Sequence, residues 1–230
     1  HYPIKKSLGS SHAYAHEFVG AQQSVLDIGC GEGHMAQELQ KAGNIVTGLD
    51  VLEQPAKPEV FEQYIPCDLD GGFVSSMDAL QRRKFSRILL LDILEHLRHP
   101  EVILRNCHQL MEPNGQLVVS LPNVANWTVM LSLLAGRFTY RDRGLLDRGH
   151  LRFFTYRTAR RLIQGAGGAV ERCDPTSIPF TYLLGPFVPA ALARGAERIY
   201  AALAIAWKTL FAYQFVFVAR VSGREPPALR

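Results

Sequence analysis

The sequence predicts an α/β fold: a doubly wound, mostly parallel sheet with helices on both faces and an apolar helical insertion before the last strand. Short apolar runs typical of buried strands alternate with helical spacing over the first 120 residues. An acidic residue also lies at the end of four successive predicted strands, namely Asp27, Asp50, Asp68 and Asp92. Ligands bind at the carboxyl ends of strands in such sheets, so this pattern predicts a site there. A length of 230 residues with 47% hydrophobic composition is enough for one large core and excludes wholesale disorder.

The predicted elements follow one another in a regular order. The strands are 24–28, 45–49, 61–66, 85–91, 116–121, 168–173 and 213–221, and the helices are 34–42, 73–83, 101–111, 127–135 and 155–165. Gly43 ends the first helix, and Pro113-Asn114-Gly115 ends the third. We interpret residues 1–230 as a single domain. Its parts are an N-terminal cap segment (1–20), a ligand-binding core (21–122), an Arg-rich loop (123–157), an apolar insertion (174–212) and a tail (223–230).

The net charge of +4 is unevenly distributed along the chain. Residues 1–115 hold 10 Lys and Arg against 15 Asp and Glu, whereas residues 116–230 hold 15 against 6. The four cysteines are scattered, which argues against a disulfide framework or a zinc ribbon and indicates a reducing compartment, the cytoplasm. Residues 175–193 carry no charge but contain four prolines, so we predict no transmembrane helix. A contact of residues 176–212 with a membrane surface remains open.

A glycine-rich turn after the first strand is the strongest local signal in the chain. The three glycines of Val25–Gly33 let the backbone turn tightly and approach a ligand. Their G-x-G-x-G spacing differs from the dinucleotide pattern, and the preceding Asp27 favours a cationic ligand over a phosphate. Asp50, 21 residues after Gly29, is placed to accept hydrogen bonds from ribose hydroxyls. Asp68 is placed to accept one from an adenine amino group.

Four segments, taken in order, resemble the class I S-adenosylmethionine-dependent methyltransferases: Val25–Gly33, Gly48–Asp50, Cys67–Leu69 and Leu91–Leu97. The resemblance covers roughly residues 20–122. It implies a Rossmann-like, seven-stranded sheet whose last strand is antiparallel, and S-adenosyl-L-methionine as the cofactor.

The same resemblance assigns roles to residues. It implies that Asp27 and Gly29 lie near the methionine moiety, Asp50 on the ribose, and Asp68 with Leu69 at the adenine. The other candidates for cofactor binding lie in or beside the same segments and are Cys30, Gly31, Gly33, Val51, Asp92 and Ile93.

The second half of the chain resembles a narrower group within this class of methyltransferases. Ser120–Val124, Gly149–Thr155 and Leu210–Val216 are similar to segments of methyltransferase domains from bacterial polysaccharide and O-antigen gene clusters. That similarity implies a sugar hydroxyl of a glycan, nucleotide-sugar or lipid-linked glycan as the acceptor. It also implies fusion to, or association with, a glycosyltransferase.

Two histidines are the candidates for catalysis. A sulfonium methyl group is already activated, but a hydroxyl is a poor nucleophile and benefits from a general base. His96 follows the fourth strand and His150 lies in the Arg-rich loop. Together with Glu95 they could bind a divalent metal, as in some quinone-type methyltransferases. Since no ligand spacing lies on one element, we predict no metal.

An arginine cluster in the Arg-rich loop predicts the charge of the acceptor. Arg141, Arg143, Arg148 and Arg152 are the candidates for substrate binding, because arginine forks bind phosphate and carboxylate. Nucleic acid is not expected, since Asp92–Glu95 stands where base-amino methyltransferases carry an Asn/Asp-Pro-Pro-aromatic motif. Two alternatives remain: a methyltransferase for a quinone or other lipid with 176–212 as a lid, and a non-catalytic accessory protein of methionine-biosynthesis type.

Overall fold

The computed structural model describes residues 10–80, 83–178, 180 and 188–221. Its seven strands are β1 (Ser24–Ile28), β2 (Ile45–Asp50), β3 (Gln63–Pro66), β4 (Phe85–Leu91), β5 (Met111–Pro122), β6 (Gly168–Pro175) and β7 (Gln214–Val221). The α-helices are α1 (Ser11–Val19), α2 (His34–Lys41), α3 (Phe73–Leu80), α4 (Pro100–Leu110), α5 (Trp127–Leu134), α6 (Tyr156–Gly165), α7 (Ala190–Ala206) and α8 (Lys208–Phe211). Two 3-10 turns lie at Pro58–Val60 and Leu94–His96.

All seven strands form one sheet in the order β3-β2-β1-β4-β5-β7-β6. β1 pairs in parallel with both β2 and β4, whereas β7 is antiparallel to β5 and β6. The strand order therefore reverses between β1 and β4, which is where doubly wound sheets bind ligands. The predicted fold class is confirmed.

Each face of the sheet is covered by helices. Leu80, Leu104 and Ile163 pack from α3, α4 and α6 into one apolar cluster, to which β7 contributes Phe215 and Phe217. Ala15 and Leu39 pack from α1 and α2 into a second cluster that includes Val216. Neighbouring residues of β7 thus point to opposite faces, as the pleat of a strand requires.

The predicted boundaries agree with the observed strands to within two residues, except for β5. The prediction that this strand begins at residue 116 is wrong, because β5 pairs from Met111 opposite Phe85 and then changes register before Arg87. Pro113-Asn114-Gly115 therefore lies in this irregular start of β5 rather than in a loop. Helix α3 ends at Leu80 within the described residues, while 81 and 82 lie outside them.

Helices form part of both the cap segment and the insertion. α1 lies in the N-terminal cap segment, and its buried Ala15 and Val19 pack onto the sheet. α7 and α8 account for most of the apolar insertion, whose residues 179 and 181–187 lie outside the described residues, as do 1–9 and the tail. Among the helices that the structure describes, none has the length and apolarity needed to cross a membrane.

Candidate active site

The glycine-rich turn after β1 is held by the end of β2. Gly29, Gly31 and Gly33 have φ angles of 76°, 52° and 80°, in the left-handed region that favours glycine. The Gly29 amide donates to the Leu49 carbonyl at 2.7 Å, and the Gly31 amide donates to Oδ2 of Asp50, also at 2.7 Å. Asp50 thus fixes the turn with one carboxylate oxygen.

Two of these glycines have different surroundings. A Cβ atom at Gly29 would lie 2.8 Å from Cγ1 of Ile93, so this glycine allows the turn after β4 to pack directly against the turn after β1. A Cβ atom at Gly31 would meet no atom within 4 Å. The backbone at Gly31 therefore borders open space that a ligand can enter.

Asp27 is a buried carboxyl group with one unpartnered oxygen among the described residues. It lies on β1, its exposed fraction is 2%, and its Oδ2 has no hydrogen-bond partner among the described residues. Burial raises the pKa of Asp27 to about 7, and the neighbouring Asp50 carboxylate adds to the shift. A buried polar atom left unpaired is costly, so this position favours a positively charged ligand group. The ammonium group of S-adenosylmethionine fits this requirement.

The ribose and adenine candidates lie at the ends of the next two strands. Asp50 is half-buried, and its Oδ1 accepts from the Leu52 amide at 3.2 Å, which leaves acceptor capacity for hydroxyl groups. Asp68 is exposed and accepts from the Asp70 amide at 3.0 Å. Leu69 is buried and borders a cavity of 120 Å³. Phe73, Val102 and Ile103 also line this cavity, as do the polar Asp70 and His99.

Cys30 and Val51 take different positions at this edge. Cys30 is buried, and burial raises the pKa of its thiol far above the usual range, so the thiol stays protonated. Its Sγ packs beside Gly48, where a Cβ atom would approach it to 2.8 Å. The Cys30 side chain is therefore directed into packing, and its backbone is the part at the turn. Val51 is 68% exposed directly after β2.

The end of β4 is fixed by side chains from two other strands. Asp92 has a φ of 55°, which is uncommon for a residue other than glycine. Its Oδ1 accepts from Oγ of Ser120 on β5 and from Nε2 of Gln214 on β7, the latter at 2.9 Å. The Asp92 amide donates back to Ser120 Oγ at 2.8 Å. The sequence contains no local signal for the parts that Ser120 and Gln214 play in this network.

The two catalytic candidates are brought together by one carbonyl group. The amides of Leu151 and Arg152 both donate to the carbonyl of Glu95, at 2.9 and 3.1 Å. This pins the Arg-rich loop to the 3-10 turn that carries His96. The rings of His96 and His150 then meet edge to face, with their centroids 4.9 Å apart.

Hydrogen bonding selects the tautomer of His96. Its Nδ1 lies 2.9 Å from the carbonyl oxygen of Gly149. A carbonyl can only accept, so in the neutral ring the hydrogen is on Nδ1 and Nε2 carries the lone pair. His96 Nε2 is therefore able to receive a proton. Gly149 stands so close that a Cβ atom there would lie 3.2 Å from the His96 ring.

His150 lies deeper than His96. Its Nε2 is 4.0 Å from Oε1 of the buried Glu95. Burial lowers the pKa of His150, and so does the neighbouring His96. One ligand atom from each of Glu95, His96 and His150 lies within 4.8 Å of the others, so the three side chains could hold a divalent cation. The absence of a metal stays a prediction.

The four candidate arginines differ in their partners. Arg141, Arg143 and Arg148 are exposed, and Arg148 forms an ion pair with Asp142 at 3.6 Å on the surface. Arg152 instead donates through its Nε to the carbonyl of Arg98 at 3.1 Å. The guanidinium of Arg152 thus helps to hold the Arg-rich loop on the segment after β4.

Aromatic rings line the approach to His150. Phe153 lies edge to face with His150 at 6.1 Å and with Phe138 at 5.7 Å, measured between ring centroids. Tyr140 lies 5.4 Å from Phe138, and both of these outer rings are more than one-third exposed. The aromatic wall formed by Phe138, Tyr140 and Phe153 therefore extends from the surface to the histidine pair. Sequence reasoning did not find it, because the rings lie on an irregular loop without strand or helix spacing.

Comparison with known proteins assigns the class. The chain belongs to the methyltransferase domain family, because the sequence model described as "Methyltransferase domain" matches residues 8–172. It is an S-adenosylmethionine-dependent methyltransferase with the Rossmann-like fold of that class.

Individual relatives share this class. The chain is 28% identical over 159 residues to a ubiquinone biosynthesis O-methyltransferase of Actinobacillus pleuropneumoniae, covering 66% of this chain and 67% of that protein. It is 35% identical over 109 residues to a protein of the same name from Histophilus somni, a match that spans 44% of this chain and only 46% of that protein.

Solved structures agree on the fold. A methyltransferase of Mesorhizobium loti matches with a TM-score of 0.58 at 18% identity, covering 92% of this chain and 98% of that one. The 1,6-didemethyltoxoflavin-N1-methyltransferase of Burkholderia thailandensis, solved with S-adenosylhomocysteine, matches with a TM-score of 0.57 at 19% identity, covering 92% of this chain and 76% of that one.

Proposed function

We propose that this protein methylates a hydroxyl group of a small lipid acceptor of the quinone type, with His96 as the general base. The observation that carries the proposal is the position of His96. Its ring is oriented by Gly149, its Nε2 has a free lone pair in the neutral form, and it follows the strand next to β1. A hydroxyl at this edge of the sheet would lie between the base and the cofactor-binding turn.

Each residue of the site has one role in the proposed reaction. S-adenosylmethionine, when bound, supplies a methyl group on a positively charged sulfur. Asp27 would pair with the ammonium group, and Asp50 would accept hydrogen bonds from the ribose. His96 Nε2 would take the proton from the acceptor hydroxyl while the hydroxyl oxygen receives the methyl group, and S-adenosylhomocysteine would be the leaving product. His150 packs beside His96, Phe153 packs against His150, and both rings limit the access of water.

The quinone-type acceptor is supported by two observations. The relatives reported above carry the name ubiquinone biosynthesis O-methyltransferase. The aromatic wall also leads to His150, and offset or edge-to-face contacts with a planar aromatic ring are favourable. We place the reaction in the cytoplasm, which accords with four cysteines that form no disulfide.

A second candidate acceptor is an anionic glycan, nucleotide-sugar or lipid-linked glycan precursor. The exposed Arg141, Arg143 and Arg148 on the Arg-rich loop favour it, since their guanidinium groups suit phosphate or carboxylate. In that case we expect a glycosyltransferase as partner or fused domain.

The test is turnover of S-adenosylmethionine by the purified protein, measured as S-adenosylhomocysteine formed. The acceptors are a catechol with a short prenyl tail and a panel of nucleotide-sugars. We expect kcat/KM to be higher for the prenylated catechol by at least tenfold, and the reverse order would favour the glycan. If neither acceptor nor a broader hydroxyl panel were methylated, the proposed function would be wrong.

Variants test the base. His96→Gln should lower kcat by about 100-fold or more, as expected for loss of a general base. The affinity for S-adenosylhomocysteine, measured by calorimetry, should stay within twofold. The matched control is His16→Gln on the exposed face of α1, which should change neither quantity. Full activity of His96→Gln would exclude this histidine as the base.

A divalent cation on Glu95, His96 and His150 is distinguished by a second measurement. If the cation positions the acceptor, chelation should abolish turnover and one added metal should restore it. If His96 acts as a base alone, chelation should have no effect.

A further inference from the structure

Helix α5 exposes apolar side chains on most of its surface. It contains no charged residue, and Val129 is its one fully buried side chain. Met130, Leu131 and Leu133 are each more than 40% exposed, and Leu134 is 82% exposed. A helix that is apolar nearly all round is normally buried, and a contiguous exposed apolar patch usually marks a contact surface.

The segment after α5 alternates aromatic and basic side chains. Phe138 and Tyr140 are 41% and 46% exposed, and they stand between Arg137 and Arg141. Residues 136–143 contain three arginines and one acidic residue, Asp142. Amphipathic aromatic rings and basic side chains are enriched at the level of lipid headgroups.

Helix α7 adds a second apolar stripe. Leu192, Ile199 and Leu203 recur at helical spacing and are exposed, whereas Ala193 and Tyr200, about a quarter of a turn round the helix, are buried. The exposed Arg194 and Arg198, four positions apart, lie roughly a third of a turn or more from the centre of this stripe. Trp207, which is 60% exposed, follows the end of the helix.

The two helices meet at one hydroxyl group. The Tyr200 hydroxyl accepts from Nε1 of Trp127 at 2.9 Å and from Nδ2 of Asn126 at 3.2 Å. Both donors lie at the start of α5, so α5 is attached to the middle of α7. This contact holds the two helices next to each other. We therefore treat residues 130–140 and the outer stripe of α7 as one apolar surface.

We propose that this apolar surface docks on a bilayer containing anionic lipid. The leucines would enter the boundary between headgroups and acyl chains, and the aromatic rings would lie at headgroup level. The arginines of residues 136–143 would meet the negative surface. Charge favours lipid over a second copy of this chain, because a symmetric contact would bring the same arginines together.

The proposal goes beyond the proposed function, since it holds for any acceptor. It also gives the aromatic wall a location: Phe138 and Tyr140 belong both to the docking surface and to the approach to His150. An acceptor with a lipid tail would thus reach the histidine pair from the membrane side.

The experiment is sedimentation of the purified protein with vesicles of phosphatidylcholine alone or with about one-third phosphatidylglycerol, whose negative charge attracts basic side chains. We expect binding to the anionic vesicles, weaker binding to the neutral ones, and loss of binding at high salt. Leu134→Asp should raise the apparent dissociation constant at least tenfold. The matched control is Ile45→Asp, an apolar residue 53% exposed at the opposite end of the sheet, which should bind like the wild type.

The outcomes separate the alternatives. Calorimetry with S-adenosylhomocysteine reports whether each variant is folded, and we expect no change for either. Absence of vesicle binding by the wild type would overturn the proposal, as would equal binding by Leu134→Asp. A dimer in sedimentation velocity that Leu134→Asp dissociates, without vesicle binding, would assign the surface to a second copy. None of these results depends on methyl transfer. The vesicle experiment therefore tests the docking proposal alone, and the turnover experiment tests the acceptor separately.

Discussion

Asp27 gives the sharpest prediction, because one side chain serves the ligand and destabilises the empty protein. Its carboxyl group is 2% exposed, and burial raises its pKa from 3.8 to about 7. The perturbation is Asp27→Asn, which keeps the size of the side chain and removes its charge.

The direction of the pH effect on stability follows from the protons that the folded and unfolded states bind. Between pH 3.8 and 7 the folded protein holds a proton on Asp27 that the unfolded chain has lost. Stability from this group is therefore present at low pH and is lost as the pH rises through about 7. At about 1.4 kcal/mol per pH unit, the wild type should lose about 3 kcal/mol between pH 5 and pH 8 relative to Asp27→Asn. The variant carries the other ionisable groups unchanged, so the difference isolates Asp27.

The assay is urea unfolding of the ligand-free protein at several pH values between 5 and 8. We expect the stability of Asp27→Asn relative to the wild type to increase steadily with pH, with little further change above pH 8. Calorimetry should show that the variant binds S-adenosylhomocysteine at least 100-fold more weakly at pH 8, since an amide cannot neutralise the ammonium group. A difference in unfolding free energy between Asp27→Asn and the wild type that stays constant from pH 5 to pH 8 would refute the argument that this carboxylate is buried without a partner.

Two further variants test the surroundings of the site. Gly149→Ala places a Cβ atom 3.2 Å from the His96 ring, so we expect kcat to fall about tenfold through misplacement of the base, with unchanged affinity for S-adenosylhomocysteine. Its control is Gly195→Ala in α7, where a Cβ atom meets nothing within 4 Å and should leave kcat unchanged. Gln214→Leu removes the donor to Asp92 Oδ1 and should lower the free energy of unfolding by about 1–2 kcal/mol in urea titrations. An unaltered unfolding curve for Gln214→Leu would mean that Asp92 keeps its conformation without help from β7.

The edge of the sheet proposed to bind the cofactor could be predicted from the sequence because its signals are local. The glycine-rich turn has its own spacing, and Asp27, Asp50 and Asp92 follow short apolar runs that could only be buried strands. Parallel pairing then brings strand ends to one edge, so the sequence order of these residues predicts their neighbourhood.

The acceptor side depends on contacts between distant segments. His150 reaches His96 because two amides of its loop donate to the carbonyl of Glu95. Every residue has a backbone carbonyl, so the sequence does not show which one accepts these bonds. Arg152 resembled the other arginines of the loop, yet its guanidinium donates to the Arg98 carbonyl. Only the folded chain shows that this guanidinium holds the loop in place.

The packing of Ile93 against Gly29 has a consequence for the order of events. The glycine-rich turn proposed to bind the cofactor and the turn that carries His96 touch each other, with no space for a single additional carbon atom between them. Ile93, which makes this contact, lies three residues before His96. Under the proposed function, the packing of Ile93 on Gly29 therefore couples the turn assigned to the methyl donor to the turn that carries the proposed base.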